Sequence, residues 1–104
     1  LIYEHRTYYI LPGKMPEFLE GFQATPAKVF ERHGAKLVGF WTTDIGQSNE
    51  IIYILAYDSL AERERIRGMI DQDEEMRSYR QAGAPRVEKI VVKILRPSAF
   101  SPLK

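Results

Sequence analysis

The chain has no cysteine. That excludes a disulfide framework, a thiolate nucleophile and cysteine-ligated zinc, and it fits a reducing compartment, so the cytoplasm is the expected location. A surplus of one charge sign is missing too: fifteen Lys and Arg stand against fourteen Asp and Glu, a formal net charge of +1. Binding to a phosphate backbone needs a basic footprint, so nucleic acid is not an expected partner. Apolar runs all fall short of the roughly 20 residues that cross a bilayer, and no membrane span is expected. The opening "LIYEHRTYYI" carries Glu4, His5 and Arg6, which suits neither a signal peptide nor a transit peptide. The two histidines, His5 and His33, fall in different elements with no carboxylate at ligand spacing, so no metal is expected. No glycine-rich phosphate loop or nucleophile elbow occurs, and no cofactor is expected.

What is present suits one compact domain, residues 1–104. Residues 2–11 are rich in Tyr, Ile, Thr and Leu and end at Pro12-Gly13, the pattern of a strand and turn. From Met15 the apolar period changes to three and four through Phe18, Leu19, Phe22, Val29 and Phe30, which predicts an amphipathic helix. Pro26 removes a helical hydrogen bond without disturbing that phase, so one helix kinked near Thr25-Pro26 is expected, stopped by Gly34. Residues 35–45 and 50–58 read as strands joined through Gly46-Gln47-Ser48-Asn49, an antiparallel hairpin. Ser59-Leu60-Ala61-Glu62 is a capping box opening a second helix. "DQDEE" (71–75) marks a break or re-capping within it, and Gly83 and Pro85 end it. Residues 87–96 give the last strand, followed by a tail without regular pattern.

The order is β-α-β-β-α-β. It predicts an α+β, ferredoxin-like fold: a four-stranded antiparallel sheet in the order 4-1-3-2 with two helices on one face. Such a sheet should alternate apolar and polar, yet the third strand carries Ile52, Ile54 and Ala56 on one face and Ile51, Tyr53, Leu55 and Tyr57 on the other. Left open, one of those faces would be an apolar patch of several hundred Å² on the order of the limit for a soluble monomer. A homodimer packed through its sheet faces about a twofold axis is therefore expected.

The first strand, expected to be central, has charges at its middle. Alternation puts Glu4, Arg6 and Tyr8 on one face and Tyr3, His5, Thr7 and Tyr9 on the other. A structural use of these groups is a Glu4–Arg6 ion pair or a polar network at the subunit interface. The functional use is a polar patch in an apolar cavity that orients a small apolar ligand. His33 near a helix end suits contact with the last carbonyls, whereas His5, among other polar groups, is the catalytic candidate. Trp41 is expected to share a face with Leu37, Gly39 and Thr43. Gly39 leaves room there for the indole, another backbone or a ligand. The run "ERERIR" (62–67) reads as a solvated helix face with local ion pairs.

The segments "IYEHRTYYILPGKMPEFL" (2–19), "RHGAKLVGFWTTDIGQSNEIIYILAYDSLAERERIR" (32–67) and "KILRPSAFSPL" (93–103) together resemble a bacterial member of the NIPSNAP family. The resemblance runs in order along nearly the whole chain. It implies a dimeric α+β barrel, an architecture shared by cofactor-independent oxygenases, dehalogenase-like and isomerase-like enzymes, heme-degrading enzymes and proteins without known chemistry. Eukaryotic members add mitochondrial targeting and roles in vesicle or mitophagy interactions. Where the family often has an aromatic residue after a "DP" pair, this chain has "DEEM" (73–76). The expectation is a homodimeric small-molecule-binding or cofactor-independent, oxygenase-like barrel, with Glu4, Arg6, Tyr8, Trp41 and Tyr53 as ligand-binding candidates and His5 as the catalytic one. The alternative is a non-catalytic interaction or scaffold protein.

Overall fold

A computed structural model describes residues 1–83 and 86–104. The elements are β1 (Ile2–Ile10), α1 (Met15–Ala24), α2 (Pro26–His33), β2 (Lys36–Thr42), β3 (Glu50–Tyr57), α3 (Leu60–Gln72), α4 (Glu74–Gly83) and β4 (Val87–Leu95). All strand pairings are antiparallel, in the order β2-β3-β1-β4, which is the expected sheet order. The shortest dimension of the molecule is 18 Å, the depth of one sheet and one helical layer.

Register assigns the faces. Glu4 lies opposite Leu55, Arg6 opposite Tyr53 and Tyr8 opposite Ile51, and opposed residues share a face. That face meets the helices. Ile10, Ile51, Tyr53 and Leu55 are buried there against Phe18, Phe22, Val29, Phe30, Ile66 and Ile70. Each such apolar side chain contributes about 1.5–3 kcal/mol on leaving water. The opposite face carries Tyr3, His5, Thr7 and Tyr9 of β1 with Ile52 and Ile54 of β3, and among the described residues no helical layer packs on it.

Each of the two expected helices is a pair of shorter ones, so among the described residues four helices cover the one face. Between α1 and α2, Thr25 leaves helical geometry at φ −125°, ψ −70°, where the Pro26 ring crowds the backbone of the residue before it. Pro26 then becomes the first residue of α2, where its missing donor costs nothing. Thr25 N still donates to Gly21 O at 3.1 Å and its carbonyl accepts from Val29 N at 3.0 Å, which keeps the apolar phase continuous. Gly34, at φ 87°, closes α2 in the left-handed conformation expected of it. In the second pair, Asp73 is extended, and its Oδ1 accepts from Met76 N at 3.1 Å. This is the re-capping that the acidic run suggested. Ser59 Oγ accepts from Glu62 N at 3.1 Å, while the Glu62 carboxylate pairs with Arg65 rather than returning to Ser59, so half of the capping box forms. Pro85, expected to help end this segment, lies outside the described residues.

His33 differs from expectation. Its Nε2 lies 2.8 Å from Asp73 Oδ2, and Arg32 Nη1 donates to the same oxygen at 2.8 Å, so the end of α2 is tied to the α3–α4 junction instead of to its own carbonyls. The His33 contact, foremost, and the Arg32 guanidinium hold the Asp73 carboxyl down at about 2.

Candidate functional site

Between the helices and the β1–β4 side of the sheet lies a cavity of about 610 Å³. Its inner surface includes Arg6, Tyr8 and Tyr53 from the sheet and Phe18, Phe22 and Phe30 from the first helix pair. Aromatic rings pack at tilted angles around it: Tyr8 to Phe18 at 5.8 Å, Tyr8 to Tyr53 at 5.4 Å and Phe22 to Tyr53 at 5.1 Å between centroids. Exposed Asp71, Arg80, Glu88 and Lys89 form a charged rim, within which Arg80 donates to Asp71 at 2.9 Å.

Polar groups at the inner end form a connected set. Glu4 is wholly buried and accepts from Arg6 Nη1 at 2.7 Å and from Arg63 Nε at 2.5 Å. Burial alone would raise the Glu4 carboxyl, but the bonds and charges of the two arginines outweigh it and hold the group below its ordinary value, as an anion. Desolvation likewise works against the charge on Arg6, yet its tyrosine and carboxylate neighbours keep it fully protonated. The Arg6 guanidinium lies 5.6 Å from the centre of the Tyr8 ring. The Tyr8 and Tyr53 hydroxyls are 2.9 Å apart, and burial above all pushes the Tyr53 phenol well up, so it remains a neutral donor. Arg6 Nε is buried without a partner.

Of the residues singled out in the sequence, Glu4, Arg6, Tyr8 and Tyr53 are thus brought together at one site. Trp41 and His5 are not among them. The expected Leu37–Trp41 face is broken by a bulge between Leu37 and Gly39: Leu37 pairs with Leu55 on the helical side, whereas Gly39 and Trp41 pair with Ile54 and Ile52 on the other. The indole, 51% exposed, lies across Gly39, where an added Cβ would stand 2.6 Å from Trp41 Cζ2. The room left by Gly39 is filled by the indole. His5 shares that open face, and its Nδ1 is buried without a partner.

Sequence reasoning missed Arg63 and Arg67. They sit one turn apart on α3, interleaved with buried Ile66 and Ile70, so the inward phase of that helix was the available signal. Within "ERERIR", Arg65 does make the expected local pair with Glu62, but Arg63 crosses to Glu4 and Arg67 lines the cavity. Met76, buried at the start of α4, lines it as well. Among the described residues, no group of three or more metal-ligating side chains occurs and no helix is long and apolar enough to cross a membrane.

An antiparallel ferredoxin-like sheet, a single helical layer and a cavity between them define a two-layer α+β domain. More specifically, the chain belongs to the NIPSNAP family, whose description matches residues 3–102. It is similar to Protein NipSnap homolog 3A of Homo sapiens, 38% identical over 76 residues, which are 72% of this chain and 30% of that protein. The chain thus spans roughly a third of the length of that curated relative. A NIPSNAP domain protein from Burkholderia xenovorans superposes with a TM-score of 0.91 at 32% identity, covering 98% of this chain and 99% of that one. A NIPSNAP family protein from Agrobacterium tumefaciens gives 0.93 at 31%, covering 99% and 98%. A candidate antibiotic biosynthesis monooxygenase from Nitrosomonas europaea shares the fold, at a TM-score of 0.71 and 10% identity over 93% of this chain and 98% of that one. Membership of the family establishes the fold and leaves the activity open.

Proposed function

We propose that the protein is a homodimer, packed through its open sheet faces, in which each subunit binds a small, largely apolar molecule between helices and sheet. The observation that carries this reading is the cavity: about 610 Å³, walled by aromatic rings, with Arg6, Tyr8 and Tyr53 converging at one end. Ligand sites combine this volume with apolar walls and a few placed polar groups. Arg6, Tyr8 and Tyr53 contact the bound molecule, and Glu4 positions Arg6. The class of chemistry that suits the site is that of a cofactor-independent, oxygenase-like barrel, whose own side chains hold the reacting molecule.

Support for the dimer comes from the other face. Ile52 and Ile54 are half-buried and Trp41 and Leu95 more exposed, while Tyr3 Oη and His5 Nδ1 are buried polar atoms without partners. A second copy covers the apolar groups and supplies partners for the polar ones. In this arrangement His5 and Trp41 belong to the subunit interface. Native mass spectrometry of protein purified from its own source tests both parts, with a dimer retaining a small-molecule adduct as the expected species. A clean monomer by light scattering at micromolar concentration would sink the dimer. The non-catalytic scaffold reading draws on the near-complete exposure of Ile45 and Phe100, and a dimer that neither retains nor takes up any small molecule would favour it.

A further inference from the structure

The charges around the cavity point to the kind of molecule it accepts. Glu4 is one buried carboxylate shared by two arginines, Arg6 and Arg63, so the triad keeps a net positive charge. Arg67, half-buried in the same cavity wall, has no carboxylate partner among the described residues. The lining acid Asp71 is already paired with Arg80, and Glu88 is exposed at the rim. In the Tyr8–Tyr53 pair one hydroxyl donates to the other, which leaves the second O–H free to donate outward. Together with the unpartnered Nε of Arg6, the inner end is rich in donors and positive in charge, beside rings that suit a flat apolar body.

Taking the cavity as the binding site, we propose that its ligand is an aromatic or otherwise unsaturated carboxylate, received at its charged end by Arg6, Arg67 and the Tyr8–Tyr53 hydroxyls and along its body by Phe18 and Phe22. Guanidinium groups match the planar, acceptor-only carboxylate, and a charge-assisted bond discriminates against a neutral analogue of the same shape. Burial keeps the Tyr53 phenol protonated, which preserves its donor.

Titration calorimetry with 2-naphthoate and its neutral isostere 2-naphthamide, on the wild-type protein and on Arg67→Gln, tests this. The acid should bind at least about tenfold more tightly than the amide, and Arg67→Gln should erase most of that preference. The wild-type comparison holds however well the variant folds. Equal binding of acid and amide overturns the carboxylate assignment and leaves the cavity standing as a binding site. A preference that survives intact in a folded Arg67→Gln protein overturns the assignment of Arg67. Failure of both compounds to bind overturns the assignment together with the cavity reading on which it rests.

Discussion

Replacing Glu4 with Gln perturbs the most deeply set charge in the molecule. The carboxylate is fully buried, with Arg6 at 2.7 Å and Arg63 at 2.5 Å. Loss of its charge affects the two arginines unequally: Arg63, 27% exposed, can turn to water, whereas Arg6, at 11%, cannot. Removing one partner from a fully buried ion pair costs about 3–5 kcal/mol, mostly through the charge left behind. With one of two cations able to escape, the lower end applies, about 3 kcal/mol. For a urea slope of about 1–1.5 kcal/mol/M in a domain of this size, the midpoint should fall by about 2–3 M. Protein concentration must be held fixed, because the proposed association would contribute to apparent stability. The Arg63→Met variant, which leaves Glu4 its Arg6 partner, should lose less. The pH dependence follows from the direction of the Glu4 shift. Its folded carboxyl lies below the ordinary 4.5, so the stability it confers is complete above the unfolded value and is lost as pH falls through the lower, folded one. The gap between wild type and Glu4→Gln should therefore narrow on acidification below about 4.5. A loss under about 1 kcal/mol at neutral pH, against the 3 expected for an uncompensated buried charge, would refute this account of the network.

Two further substitutions probe the helical junction and the open face. The Asp73 carboxyl is held at about 2 against an ordinary 3.8, so its stabilisation is present above the higher value and lost as pH falls through the lower. Asp73→Asn should lower the denaturant midpoint at neutral pH and show a smaller fall in stability between about pH 4 and 2 than the wild type does, checked by denaturation at several pH values. Gly39→Ala puts a methyl group where the indole lies. Because Trp41 is half-exposed and can swing outward, the stability loss should be only about 1 kcal/mol, accompanied by a shift in tryptophan emission and, in the proposed dimer, weaker association by analytical ultracentrifugation.

How far the sequence is legible depends on how rigid each local pattern is. Alternation along β1 has a fixed period of two, so Glu4, Arg6 and Tyr8 could be placed on one face and His5 on the other before any coordinates. The same rule failed for Leu37 and Trp41 because one bulged residue reverses the alternation, and a bulge leaves little local signature beyond a glycine. Pro26 announced a disturbance, but whether it produces a kink or a break depends on the dihedral angles of Thr25, which packing decides. Arg63 was hidden by cheap local partners: in "ERERIR" every arginine has a nearby glutamate, and only the tertiary fold shows that this one reaches 59 residues back to Glu4.

The two helix breaks also govern the shape of the cavity. Pro26 stands immediately after one hinge and Met76 in the first turn after the other, and both border the empty space. Each crossover leaves helical geometry above the sheet, at Thr25 and at Asp73, and the void lies beside these breaks. Its capacity is accordingly an angular quantity as well as a matter of side-chain bulk. A substitution that straightens either hinge would alter what fits inside without changing a single wall residue, so relatives with identical linings could still differ in the size of molecule they admit.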